Sequence, residues 1–472
     1  MLAILDLSKV NVALPSIEAS LDGSPTELQL VVSGYALAFG IALVPSGRLG
    51  DMGSRKLMLL LGVALFSGAS LIGALAPTPE ILLIGRGLQG VGAGMLMPQS
   101  IGLIQQLFQG PARGRAFGVF GAAVGISTAF GPPLGGLLIA AGGPDNGWRW
   151  LFAMNIPLGI AILVLAWRIL PSHQARDTSR RYSLDPVGIA LIAVATVALL
   201  IPFVTTTGRE GDNPARWLWL TLCVLALGAF VAWERRYEGR GKTPVINLGL
   251  LRVKSYRHGL IIVSSWFAGL PALLLLVTLF LQQGLGLSAM MAGLSSIPFA
   301  LTSALSAWYA GRRVERYGRQ LIIIGFGLAL AGLIATIAVA EFVPRSIVPW
   351  AIVATLTLIG AGGGLVMSPN QTLTLSEVPV AQGGVAGSVT QLGQRVGTAV
   401  GVAVASSAFY AALNIDDVPT LETYEKAFGL GLLASAGFVV IALITALRAW
   451  SAHRGASRRQ QTADTISEGI RV

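Results

Sequence analysis

The sequence predicts an all-α integral membrane protein: two related six-helix bundles with two inserted central helices between them, fourteen crossings in all. Three observations lead there. Hydrophobic residues fill 54% of the 472 positions and charged residues only 12%, far from the roughly 25% charged usage of soluble domains. Apolar runs near the roughly 20 residues that a spanning helix needs recur along the whole chain. Two passages are also written twice. Gly47-Arg-Leu-Gly-Asp51-Met-Gly-Ser-Arg55-Lys56 returns 264 residues later as Gly311-Arg-Arg-Val-Glu315-Arg316-Tyr-Gly-Arg319-Gln, and Gly94-Met-Leu-Met-Pro98-Gln99 returns at an offset of 270 to 271 as Gly364-Leu-Val-Met-Ser-Pro369-Asn370-Gln371. Parallel repeats of this kind place a site between two halves, near the bilayer midplane.

The first bundle, residues 1–170, holds apolar runs at 1–17, 28–50, 57–76, 81–107, 114–140 and 150–170. The first run is about 25 Å long at about 1.5 Å per residue, short of a core of about 30 Å, so a natural form with about ten or more extra residues is expected. The second ends at the Asp51 turn; the third runs unbroken from there to Pro77. The fourth contains Arg86, the fifth Pro132 and Pro133, and the sixth follows Trp148-Arg-Trp. Residues 171–255 hold two runs, 184–206 and 216–234, that belong to neither repeat. The stretch Arg235 to Arg257 after them carries seven Lys and Arg and reads as a surface-lying amphipathic connector. The second bundle, residues 256–450, holds runs at 257–283, 288–310, 321–342, 347–374, 382–412 and 427–450, and residues 451–472 form a polar cytoplasmic tail.

The net charge of +11 is not a nucleic-acid patch, because most Lys and Arg fall in turns on the side of the Asp51 motif. That is the positive-inside pattern, which makes this side and both termini cytoplasmic in a multi-pass protein of the cell membrane. Cys223 is the only cysteine, and His173, His258 and His453 all fall at boundaries or in the tail, so neither a metal centre nor a nucleophile and base is expected, and the chain does not read as an enzyme. It has no Gly-x-x-x-x-Gly-Lys-[Ser/Thr] phosphate loop, so no nucleotide or other cofactor is expected.

Charges within spanning helices cost about 2.5 to 3.5 kcal/mol each on insertion scales, so each needs a reason. Asp6 and Lys9, three residues apart on one helix face, can pair; they either orient the helix or couple transport to a proton. Arg86 keeps its charge and cannot carry the proton, but it can tune a nearby carboxylate or hold an anion, or serve a purely structural role by capping backbone carbonyls. Arg395 has the same ambiguity. Asp6, Lys9 and Arg86 are the candidate proton-coupling residues.

Polar and soft residues at helical depth give a candidate substrate cavity of Asn11, Gln89, Met95, Gln99, Met367, Asn370, Gln371 and Arg395; methionine suits a site that adapts to many apolar shapes. The repeated turns, Gly47, Asp51, Arg55 and Lys56 with Gly311, Glu315, Arg316 and Arg319, form a candidate cytoplasmic gate whose ion pairs make and break. Gly131-Pro132-Pro133-Leu-Gly135-Gly136 predicts a kink, with a glycine surface on which a neighbour rocks or simply packs.

Together these motifs resemble the major facilitator superfamily, nearly end to end. Gly47-x-Leu49-x-Asp51-x-x-x-Arg55-Lys56 is similar to the superfamily's cytoplasmic-turn motif, with Ser54 where a glycine is usual and Met52 where a basic residue is usual. Arg86-Gly-Leu-Gln89-Gly resembles the helix-four motif linked to proton transfer, and the Gly131 to Gly136 run resembles the antiporter motif of helix five. Leu5-Asp6-Leu-Ser-Lys9-Val-Asn11-Val-Ala-Leu-Pro15 and Trp148-Arg-Trp-Leu-Phe-x-x-Asn155-x-Pro157 resemble signatures of the fourteen-helix drug:proton antiporters, the QacA/EmrB-like branch. Lys9 stands where that branch carries an apolar residue, which makes neutral, zwitterionic or anionic substrates more plausible. The resemblance implies a monomer that moves small organic compounds out of the cell in exchange for protons by alternating access. An exporter dedicated to one metabolite, antibiotic or lipid is the rival within transport; a non-transporting receptor or sensor is the rival outside it.

Overall fold

In the computed structural model, residues 2–171, 185–206, 214–413 and 420–469 are described. Among them there are fourteen α-helices and no strand. The first six are α1 (Leu2–Leu21), α2 (Pro25–Met52), α3 (Arg55–Leu75), α4 (Pro79–Leu107), α5 (Gly110–Ala153) and α6 (Asn155–Ile169). Then come α7 (Pro186–Val204), α8 (Leu218–Gly239), α9 (Lys254–Leu279), the short α10 (Ala289–Leu294), α11 (Ile297–Phe342), α12 (Val348–Thr374), α13 (Gly383–Leu413) and α14 (Leu421–Gly469). Local chemistry sets several starts. Ser24 and Glu27 form a reciprocal capping box at the head of α2, which satisfies amide donors that a helix N-terminus otherwise leaves open.

The protein is a multi-span helical membrane protein, and its described residues hold twelve segments long and apolar enough to cross a bilayer, from Leu30–Met52 to Leu421–Ala452. The sequence predicts fourteen; Met290–Phe342 enters here as one segment of 53 residues, and α1 is not among the twelve.

Within the first half, α4 packs between α2 and α3, α1 lies on α5, and α3 lies on α6. In the second half, α11 pairs with α12, and α9 packs against α13 and α14. The halves meet where α5 crosses α11 and where α13 lies against α2 and α4; α7 pairs with α8 and rests on α2 beside α13. The largest apolar core fills the second half, with Trp266, Phe326 and Phe409 fully buried and the rings of Phe280 and Phe428 stacked at 4.5 Å.

Small residues make these crossings close. A Cβ on Gly311 would meet the backbone of Gly114 and Gly118, so α5 and α11 touch main chain to main chain, a contact that only small residues permit between membrane helices. The backbone of α5 is helical through Pro132 and Pro133, where the sequence predicts a kink; its non-helical residue is Gly143, at φ 80° and ψ 169°. That left-handed conformation suits glycine, which lacks a Cβ.

Candidate functional site

A fully buried polar cluster lies inside the first half, where α1, α2, α3, α4 and α6 converge. The side chains of Asp6, Lys9, Arg86 and Gln89 are all at 0% exposure. Arg86 donates from Nη1 to Asp6 Oδ2 at 2.6 Å and to Gln89 Oε1 at 2.9 Å, and from Nε to the Val31 carbonyl at 3.2 Å. Asn155 donates from Nδ2 to the other Asp6 oxygen at 2.7 Å and to the Ser70 hydroxyl at 3.1 Å. Lys9 Nζ stands 3.4 Å from Asp6 Oδ1 and donates to Asn155 Oδ1 at 2.6 Å. Gln89 closes the network by donating to Ser70 at 2.6 Å.

Burying ions is costly unless geometry and hydrogen bonds compensate. Here one carboxylate faces two cations, so with all three ionised the cluster holds one excess positive charge, and Arg86 Nη2 has no hydrogen-bond partner. A proton added to Asp6 would leave both cations facing a neutral acid.

Helix α5 holds α1 in place from behind. A Cβ on Gly131 would strike Ser8, and one on Gly135 would meet the Lys9 backbone, whereas nothing lies within 4 Å of a Cβ on Gly136. The Gly-Pro-Pro-Leu-Gly-Gly segment thus seats the turn that carries Lys9. Helix α2 supplies an aromatic step. The Arg86 guanidinium lies 4.2 Å from the centre of the Tyr35 ring, the Arg395 guanidinium lies 4.4 Å from that of Phe39, and the two rings are 6.2 Å apart. Arg395, half-buried on α13, thereby reaches the same face of α2 from the other half.

The Asp51 motif closes one end of the molecule. Asp51 accepts the amides of Gly384 at 2.9 Å and Val385 at 2.8 Å, at the head of α13, and pairs with Arg55 at 2.6 Å. A carboxylate at a helix N-terminus is favoured by the open amides there. Arg55 continues across the seam to the Val380 carbonyl at 2.6 Å and, within the first half, donates to Gly102 O of α4 at 2.9 Å. Gly47 faces Ser388, whose hydroxyl donates to Leu43 O at 2.7 Å. Lys56 donates to Trp167 O and Leu170 O at 2.7 and 2.6 Å, capping the end of α6.

The second copy of the motif is built differently. Gly311 is the contact with α5, Glu315 and Arg316 are exposed, and Arg319 donates to Ala449 O on α14 at 3.1 Å. Among the other sequence-predicted residues, Gln99 is wedged between α4 and α2 and donates to Ser46 O at 2.8 Å. Met95 lies beside Gly62 of α3, Met367 packs on the second-half core, and Asn370 donates to Gly259 O at 3.1 Å. Gln371 is buried. Asn11 lies in α1, and its side chain, like that of His453 and the whole of His173, is outside the described residues. The structure thus joins Asp6, Lys9, Arg86 and Gln89 in one site and engages Gln99 and Asn370 in helix contacts elsewhere. Asn155, Ser70 and Tyr35 complete the cluster without having been singled out from the sequence. Asn155 stood inside the quoted Trp148 run, whereas Ser70 and Tyr35 carried no local signal.

Comparison with known proteins gives one consistent picture. The sequence model of the Major Facilitator Superfamily matches residues 1–402. A probable actinorhodin transporter of Streptomyces coelicolor is 34% identical over 87% of this chain and 71% of its own. The puromycin resistance protein pur8 of Streptomyces alboniger is 33% identical over 95% and 88%, and the multidrug resistance protein Stp of Mycobacterium tuberculosis is 30% identical over 89% and 75%. Among solved structures, the proton:xylose symporter XylE superposes with a TM-score of 0.63 at 17% identity, over 95% of this chain and 92% of that one, a likeness of fold.

Proposed function

The chain belongs to the Major Facilitator Superfamily, a family of transporters, and from that premise we propose that it exports organic compounds in exchange for protons across the plasma membrane, as a monomer of the fourteen-helix drug:proton antiporter branch. The observation that carries the reading is the buried Asp6, held by Arg86 at 2.6 Å and by Asn155 at 2.7 Å. Among the described residues, Asp6 is the only acid fully buried within either six-helix bundle, and a proton there changes the balance with two cations. Relatives named as an actinorhodin transporter, a puromycin resistance protein and a multidrug resistance protein support export.

Fourteen crossings follow if α11 spans twice and α1 once. The 46 residues of α11 extend about 69 Å, more than twice a core of about 30 Å, and the charged run Arg312 to Arg319 falls in their middle. The division is then a first bundle of 1–170, two extra helices and basic linkers over 171–255, and a second bundle of 256–450. The basic turns face the cytoplasm, so the Asp51 end is the cytoplasmic gate, closed here by α13.

In this reading a proton from outside neutralises Asp6 and loosens Arg86 and Lys9 from it. The freed cations shift α1 against the glycines of α5, and the halves rock about the α5/α11 crossing until the gate opens. Release of the proton to the cytoplasm restores the pairs and closes the cycle, with a compound carried outward. No cofactor is needed; the proton gradient is the drive. A second reading, export of a single compound, is favoured by the relatives named for one compound each, actinorhodin and puromycin. The test is efflux of a panel of cationic, neutral and anionic compounds from cells producing the protein, with and without a protonophore. Efflux of several classes that stops with the protonophore supports the first reading, efflux of one class the second, and efflux indifferent to the protonophore removes proton coupling.

A further inference from the structure

A cavity of about 520 Å³ opens inside the second half, among α9, α11, α12 and α14, away from the Asp6 cluster. Its lining has two chemistries. At the N-terminal end of α9 lie Arg252, Lys254 and His258, joined by Arg319 from α11 and opposed by one carboxylate, Glu377. Deeper along α9, about 12 Å from Lys254 at about 1.5 Å per residue, Ile262 meets Ile322 and Leu373. The wall is therefore cationic at one end and, apart from Asn370 and Thr374 of α12, apolar at the other.

Three features distinguish it from an ordinary solvated face. The Ser255 hydroxyl in the wall is buried without a hydrogen-bond partner. The Arg319 guanidinium is anchored by one arm on the Ala449 carbonyl, which leaves its remaining donors for another acceptor, since an arginine carries five. The wall also brings four basic side chains together against a single acid. A cavity that joins basic side chains between membrane helices to an apolar floor matches an anionic amphiphile, whose phosphate takes the donors and whose chains take the floor.

We infer that this cavity binds a phosphate group, supplied by the headgroup of an anionic phospholipid or by a soluble phosphate ester. Arg319, Arg252 and Lys254 hold the phosphate, and Glu377 at the rim weakens the hold by repulsion.

The test is thermal unfolding of the purified full chain in neutral detergent micelles, titrated with phosphatidylglycerol, with phosphatidylcholine, and separately with inorganic phosphate. Saturable stabilisation by phosphatidylglycerol but not phosphatidylcholine identifies the lipid source; the same response to inorganic phosphate identifies the soluble one. In either case R252A/K254A/R319Q binds about a hundredfold more weakly, from about 1 kcal/mol per basic residue and about 1.4 kcal/mol per factor of ten. Glu377→Gln, at an exposed position, binds about two- to fivefold more tightly, and it keeps the test open if the triple variant does not fold. No saturable response in the wild type, or affinities unchanged in both variants, overturns the assignment.

Discussion

Asp51 of the first half and Val385 of the second are joined by a 2.8 Å hydrogen bond, 334 residues apart in sequence. With the neighbouring bond from Gly384 and the Arg55 pair, this carboxylate ties α2 and α3 to the head of α13. Breaking one partner of a buried pair costs about 3 to 5 kcal/mol, and even about 1.4 kcal/mol on the closed state raises the open population about tenfold. Asp51→Asn therefore speeds thiol labelling of Ala386→Cys, a buried position on the seam, by about tenfold in a background where Cys223, the only native cysteine, is replaced by Ser. Equal labelling rates would return Asp51 to a local capping role.

The α5 motif makes a sharper contrast among three glycines within six residues. A Cβ on Gly131 collides with Ser8 and one on Gly135 meets Lys9, whereas one on Gly136 meets nothing. Overpacking costs about 1 to 3 kcal/mol. Gly131→Ala should lower the melting temperature in detergent and reduce efflux, with Gly136→Ala close to wild type in both. A Gly136→Ala loss as large as that of Gly131→Ala would contradict the packing account.

Much of this was legible in the sequence, and the reasons for the remainder are physical. Asp6, Lys9 and Arg86 announced themselves because charge in an apolar helix is costly, and they do meet. Tyr35 and Ser70 gave no sign, since an aromatic and a small hydroxyl on apolar helices look the same whether they face lipid or a guanidinium; only the crossing of α2, α3 and α4 decides. Repetition did not reveal that the two copies have different surroundings: Asp51 is held at the head of α13, whereas Glu315 is exposed and Gly311 packs on α5, because a duplicated sequence need not keep duplicated neighbours. A separate break at Gly143 could not be read from the run: the backbone keeps helical dihedrals at Pro132 and Pro133, and the non-helical residue of α5 is Gly143, whose positive φ a glycine adopts without a Cβ penalty.

Arg86→Lys separates charge from geometry. The guanidinium serves Asp6, Gln89 and Val31 at once and stacks on Tyr35, a fork that an ammonium cannot reproduce. Losing charge-assisted bonds of about 1.5 to 3 kcal/mol should cut efflux by about tenfold or more in transport assays, although the charge is retained. Wild-type efflux from Arg86→Lys would show that a point charge suffices.

Lys9→Met removes the second cation and leaves Asp6 with Arg86 alone. The central region becomes less positive, so efflux of cationic compounds should rise relative to anionic ones across a matched panel. An unchanged ratio would confine Lys9 to its bond with Asn155, 2.6 Å away.

The central claim is that Asp6 carries the coupled proton. The direct measurement is proton movement in proteoliposomes of purified protein under an imposed pH gradient, as transported compounds are added, for the wild type and Asp6→Asn. Compound-triggered proton flux in the wild type that disappears in Asp6→Asn, from protein of the same melting profile, is the predicted result. Wild-type flux from Asp6→Asn would contradict it.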